Sequence, residues 1–249
     1  MGDREQTLIS SVSDLWEPKS RRDFFKMMAV GGSVVFLPGI ATACATMGSM
    51  GGANSATAGS GATVTIDFAK GDVAVLQFAY ALEQLEADFY SRVVAAFSGS
   101  DLTPADQGVL ADIKNHEIIH REFLKTALGS NGFSLTPTYP NVNFSNRASV
   151  LGTARAFEDL GVAAYNGAGQ YLTDPGNLTL AGKIVSVEAR HSAAIRRMLS
   201  PHTGDFAPNA FDNVFSPAKV AGVAQGFIVD HLAFANAPST FAQGPNNNG

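Results

Sequence analysis

Between residues 71 and 200, apolar and polar positions recur with a helical period, in four separate stretches. The first, over 71–97, sets Leu76, Tyr80, Ala87, Tyr90 and Val94 along one face. The second, over 104–128, opens on Thr103-Pro104-Ala105-Asp106, where threonine suits the N-cap and proline the first helical position. Its stripe is Leu110, Ile113, Leu124 and Leu128, and Gly129 is a natural stop. The third, over 146–173, carries Leu151, Ala154, Val162, Tyr165 and Leu172. Asp174-Pro175-Gly176-Asn177 reads as a tight turn. The fourth helix, over 178–200, carries Ala181, Ile184, Ile195 and Leu199, with Pro201 just beyond. A shorter helix is predicted around 217–232, and the tail from Ala237 is predicted to fray. Only Thr63 to Phe68 alternates as a strand does.

The links between the first and second helices and between the third and fourth are short. The link at 130–145 is long and rich in turn formers. This pattern predicts an all-α fold, a four-helix bundle with one long crossover between the second and third helices, plus a short C-terminal helix. The bundle is expected over 66–200 and a C-terminal extension over 201–249.

The 249 residues suit one ordinary domain with additions at its ends. The hydrophobic fraction of 45% is enough for a sizeable core. The charged fraction of 16% falls below the roughly 25% of an average soluble protein. A net charge of −5 leaves no basic footprint, so nucleic acid is not an expected partner.

Residues 1–43 read as an address. Ser20-Arg21-Arg22-Asp23-Phe24-Phe25-Lys26 resembles the twin-arginine export motif. Arg21 and Arg22 would then engage the twin-arginine export machinery, which moves folded substrates. The apolar run from Met27 to Ala43, about 17 residues, is marginal for a bilayer core of about 30 Å and suits a signal h-region. Ala41-Thr42-Ala43 is a small-x-small cleavage site, and Cys44 follows it directly. Cys44 also stands where a lipoprotein acceptor would, although no leucine lies three residues before it. Lipidation, simple cleavage and an uncleaved anchor all stay open. The expected location is periplasmic or cell-envelope, with the membrane touched only through the signal or a lipid. Cys44 is the only cysteine, which excludes an intramolecular disulfide. Residues 44–65 are a predicted flexible linker, since Gly, Ala, Ser and Thr bury too little apolar surface to offset their ordering entropy.

The chemistry sits inside the stripes. Glu83 lies between Leu76 and Tyr90, Glu117 between Leu110 and Leu124, Glu158 between Leu151 and Tyr165, and Glu188 between Ala181 and Ile195. Each neighbour is seven residues away, about two turns, so each glutamate shares the apolar face. Four carboxylates aimed into one core would repel one another and resist desolvation, so cations must neutralise them. The second and fourth helices each read Glu-x-x-His, as Glu117…His120 and Glu188…His191. That spacing puts both side chains on one face, where they can bind one metal, and leaves Glu83 and Glu158 to bridge or cap a pair. Glu83 precedes Glu117 by 34 residues and Glu158 precedes Glu188 by 30, and Tyr90 and Tyr165 follow their glutamates at the same interval. Two copies of one helical hairpin, related by a pseudo-twofold axis, are expected. Tyr90 and Tyr165 suit packing, a hydrogen bond to a carboxylate, or redox chemistry. Glu86, one turn from Glu83, is a rival for the first helix, and Glu83 is preferred as centred on the stripe. His116 points about 100° from Glu117 and suits a supporting or surface position.

The set Glu83, Glu117-x-x-His120, Glu158, Glu188-x-x-His191 resembles the di-iron carboxylate proteins of the ferritin-like group. The wording Ala81-Leu-Glu-Gln-Leu-Glu-Ala-Asp-Phe-Tyr90, with the export motif, looks more like the bacterial ferritin-like proteins related to plant desiccation-related proteins. The resemblance covers 66–200 and implies two metal ions as cofactors. Mixed carboxylate and imidazole donors suit iron first and manganese second. Oxidation of Fe(II) or reduction of peroxide, with O2 or peroxide as the partner, is the leading expectation. A metal-stapled structural protein of the envelope and a manganese-catalase-like peroxide dismutase are the alternatives. A homo-oligomer is open, and a storage cage is not expected.

Overall fold

The computed structural model describes residues 61–238, together with 242 and 244. All of them lie in one of the two units into which the chain divides, Gly51–Gly249. The expected signal, Arg21, Arg22, Cys44 and most of the linker lie outside the described residues, as does nearly all of the tail after Ala237.

The elements run β1 (Thr63–Asp67), α1 (Asp72–Ala95), α2 (Pro104–Leu128), α3 (Arg147–Ala168), α4 (Pro175–Leu199), α5 (Pro217–Ala224) and β2 (His231–Ala235). Four long helices form the bundle, and the connection from α2 to α3 is the long one. α1 pairs chiefly with α2, and α3 with α4, so the molecule is two helical hairpins laid together.

Capping sets the helix starts. Thr103 accepts from the Asp106 amide and the Asp106 carboxylate accepts from the Thr103 amide, closing a capping box before Pro104. Asp174-Pro175-Gly176-Asn177 is not the expected separate turn. Asp174 caps α4 by accepting from the Asn177 amide, and Pro175 is the first helical residue. The helix therefore begins three residues earlier than its apolar stripe suggests, because proline without an N–H is well placed at an N-terminus. α3 ends at Ala168, short of the expected 173, where a 3-10 turn over Gly169–Tyr171 takes over.

The first stripe is also wider than expected. α1 is buried almost all round from Ala74 to Tyr90, and near its end Val93, not Val94, is fully buried. A helix buried on every face, with only Gln77, Glu83, Gln84 and Glu86 polar among those buried residues, belongs at the centre of its fold. The C-terminal helix is shorter than predicted. Ser216 caps it and Pro217 opens it, but it stops at Ala224 and the chain turns extended by Ile228. β2 then pairs in parallel with β1, from Thr63 opposite His231 to Asp67 opposite Ala235. This two-stranded sheet joins segments far apart in the chain, and Phe68, Phe78 and Phe234 pack as tilted and edge-on rings beneath it.

The extension folds back on the bundle through a close backbone approach. The Phe215 amide donates to the Ala163 carbonyl at 3.0 Å. A β-carbon at Gly167 would sit 2.0 Å from the Phe215 carbonyl oxygen. Asp72, at the start of α1, ties the two hairpins together at one end. Its carboxylate accepts from the Thr173 amide and hydroxyl, the Asp174 amide and the Asn177 side chain. Among the described residues, no helix is long and apolar enough to cross a membrane.

Candidate metal centre

Each long helix contributes one glutamate to the middle of the bundle. Glu83, Glu117, Glu158 and Glu188 are all fully buried. Their helices are held apolar around them by Leu110, Leu124, Leu151, Tyr90 and Ile195, each two turns from a glutamate and each inaccessible.

The six residues singled out from the sequence come together in two overlapping groups. One is Glu83, Glu117, Glu188 and His120, and the other is Glu158, Glu117, Glu188 and His191, with one donor atom from each residue within 4.8 Å of all the others. His120 Nδ1 lies 2.9 Å from Glu188 Oε1, 3.5 Å from Glu83 Oε2 and 3.6 Å from Glu117 Oε2. His191 Nδ1 lies 2.9 Å from Glu117 Oε1 and 3.4 Å from both Glu158 Oε2 and Glu188 Oε2. Exchanging the hairpins maps one set onto the other. Glu117 and Glu188 belong to both groups, whereas Glu83 and Glu158 each belong to one. Of the two places left open for Glu83 and Glu158, to bridge or to cap, their membership of one group each fits the cap, and the shared places fall to the Glu-x-x-His glutamates, whose oxygens approach both imidazoles.

The tyrosines follow the same symmetry. Tyr165 on α3 donates to Glu83 Oε1 on α1 at 2.6 Å, and Tyr90 on α1 donates to Glu158 Oε1 on α3. Each single-group glutamate keeps one oxygen on a tyrosine and turns the other to the centre.

The inward atoms have no protein partner. Glu83 Oε2, both oxygens of Glu117 and Glu188, Glu158 Oε2 and the Nδ1 atoms of His120 and His191 are buried without a hydrogen bond. The imidazoles approach the carboxylates closely, yet without hydrogen-bond geometry. Unpaired buried polar atoms are costly, and this many converging on one place is the donor arrangement that suits a cation. Donor atoms around an ion bonded at about 2.0–2.2 Å stand about 3–4.4 Å apart, close to the separations here. The residues present therefore fit a pair of metal ions.

Without metal, protons must do the neutralising. Burial pushes Glu83 up to about 8 against the opposing pull of His120. Burial also raises Glu158 well above the usual carboxylate range, with Glu117 and Glu188 adding to it against His191. Burial works the same way on Glu117, but the two histidines outweigh it and hold it down to about 2. Both imidazoles are raised despite burial, because three carboxylates face each of them, and His191 is pushed up to about 12. Burial, then Glu158 and Glu83 respectively, lift Tyr90 and Tyr165 well above the ordinary phenol value.

Two further residues belong to the surroundings. Glu86 is buried against α3, and a β-carbon at Gly161 would stand 3.1 Å from its Oε1. Burial and the other four carboxylates raise it well above its ordinary value. It lies outside both donor groups. The signal for this packing was present in the repeat, since Glu86 follows Glu83 by three residues just as Gly161 follows Glu158. His116, on the exposed side of α2, places its Nδ1 2.9 Å from Nε2 of His191, with the rings near-parallel at 13° and their centroids 5.1 Å apart.

No curated protein matches the chain. The family model of the ferritin-like domain matches residues 71–201, over half of the sequence and the whole span from α1 to α4. Four long helices with one long crossover, a glutamate from each and two Glu-x-x-His pairs converging in the core agree with that match, and the chain belongs to the ferritin-like domain family.

Proposed function

We propose that this ferritin-like protein binds two metal ions, iron first and manganese second, through Glu83, Glu117, His120, Glu158, Glu188 and His191, and uses them to oxidise Fe(II) or reduce peroxide outside the cytoplasm. The observation that carries this reading is the pair of unpartnered imidazole nitrogens, each facing three buried carboxylates. Such a centre supplies two-electron exchange with O2 or peroxide when loaded. The chain's own part is positional. Glu117 and Glu188, which belong to both donor groups, would hold both ions, while Glu83 and Glu158 would each hold one. Tyr90 and Tyr165 hold the outer oxygens of these last two, so their carboxylates cannot rotate freely. The apolar rings and aliphatic side chains above and below exclude water and strengthen every charge interaction inside.

Export supports the setting but rests on the sequence alone. Arg21 and Arg22 suit the twin-arginine route, and Cys44 suits cleavage or lipid attachment. Elemental analysis of protein purified from its native compartment tests the centre. About two ions per chain are expected, and the double variant Glu117→Ala, Glu188→Ala should lose both. Retention of metal in the double variant would remove the assignment.

A second reading is a structural protein in which metal only staples the bundle. Complete burial of all four glutamates favours it, since a fully enclosed cluster is costly to leave bare. It predicts a large fall in melting temperature on chelation, with no turnover of Fe(II) or peroxide by the loaded protein.

A further inference from the structure

The pseudo-twofold relates Glu83 to Glu158, Glu117 to Glu188, His120 to His191 and Tyr90 to Tyr165. It fails at His116. The equivalent position on α4, one residue before Glu188, is Val187. His191 is accordingly supported from outside by a second ring, whereas no hydrogen bond to Nε2 of His120 is present among the described residues.

The support has a definite chemical consequence. Nδ1 of His191 faces Glu117, Glu158 and Glu188, so it is the atom available to a metal. A neutral imidazole donating its Nδ1 lone pair must carry its proton on Nε2. That N–H points at Nδ1 of His116, which must then accept and carry its own proton on the far nitrogen. The rings are near-parallel at 13°, as a hydrogen bond lying in both ring planes requires. Such outer partners fix tautomer and aim, and losing one commonly weakens metal binding by about 10–100-fold.

We propose that His116 is a positioning residue that makes the two metal positions inequivalent, so that the position served by His191 fills first and the position served by His120 fills second. The inference rests on the two-metal reading above.

The test is a Co(II) titration of the full purified protein after chelator stripping, followed by its visible absorption. The wild type should bind two ions in two steps whose affinities differ by about 10–100-fold. The first step alone should bring up a slowly exchanging, hyperfine-shifted imidazole N–H in the proton spectrum, from the His191–His116 hydrogen bond. His116→Ala should weaken the first step until the two merge, with that signal lost. His116→Asn, whose amide oxygen replaces the accepting nitrogen, should keep the steps apart. Uptake of two ions in one step by the wild type would overturn this inference alone. So would unchanged steps in His116→Ala, or loss of the first step in Asn and Ala variants alike. No Co(II) uptake by the wild type would overturn the metal-centre reading itself.

Discussion

Replacing Tyr165 by phenylalanine separates a tyrosine that serves the centre from one that merely fills space. The change removes one hydroxyl and leaves Glu83 Oε1, at 2.6 Å in the native protein, without its donor. The size of the loss depends on the charge of Glu83. In the metal-free protein Glu83 is pushed up to about 8, so at pH 7 it carries a proton and the lost bond is between neutral groups. Such a bond contributes about 0.5–1.5 kcal/mol net. With metal bound the carboxylate is ionised, and the same hydroxyl makes a charge-assisted bond of about 1.5–3 kcal/mol. For a domain of this size 1 kcal/mol moves the melting temperature by about 2–4 °C. The variant should therefore melt about 1–6 °C lower in chelator and about 3–12 °C lower with saturating Mn(II), and the loaded depression should be the larger in the same preparation. Circular dichroism melts at pH 7 with and without metal give both values. Tyr90→Phe, acting on Glu158, should show the same inequality. Equal depressions in the two states, for both variants, would refute the reasoning and reduce the tyrosines to packing.

Other expectations concern the scaffold. Gly167→Ala would force a β-carbon to within 2.0 Å of a backbone oxygen of the extension, which cannot swing aside, and should cost about 2 kcal/mol or more in urea unfolding. Gly161→Ala meets only the end of the flexible Glu86 side chain at 3.1 Å and gains about 1 kcal/mol of helix propensity, so its stability should stay within about 1 kcal/mol of native. Asp106 is held down to about 2, first by its hydrogen bonds from Arg147 and then by Thr103, against burial. Its folded value lies below its ordinary 3.8, so the stabilisation is complete above that value and disappears as pH falls toward 2. The stability gap between wild type and Asp106→Asn, followed by urea unfolding, should be constant above pH 5 and shrink between pH 4 and 2; a constant gap throughout would remove Arg147 as the cause.

Much of this molecule is local information. The stripes of α2, α3 and α4, the threonine cap before Pro104 and the stop at Gly129 all follow from side chains a turn or two apart, and periodicity reports such neighbours directly. The same holds for the six donors. A glutamate centred on an apolar face must enter the core wherever the helix packs, and the repeated Glu-x-x-His shows that two such helices face each other. Asp174-Pro175 was equally local, and only the competing turn reading of proline and glycine hid its role as a helix start.

What the tertiary structure alone decided depends on atoms brought together from distant parts of the chain. Which glutamates belong to both donor groups and which to one is set by the relative rotation of four helices, which no single stripe encodes. The pairing of His116 with His191 depends on α2 and α4 meeting across the bundle, and the seat of Glu86 on α1 depends on a missing β-carbon on α3. β2 has no strand pattern strong enough to announce itself, because its partner β1 lies at the other end of the domain and supplies the hydrogen bonds that make it a strand. The sequence by itself determined four helices and the acids inside them, since helical faces are a property of nearest neighbours. The structure decided how those acids are shared between two donor groups and which histidine meets His116, since both are properties of the contacts between helices.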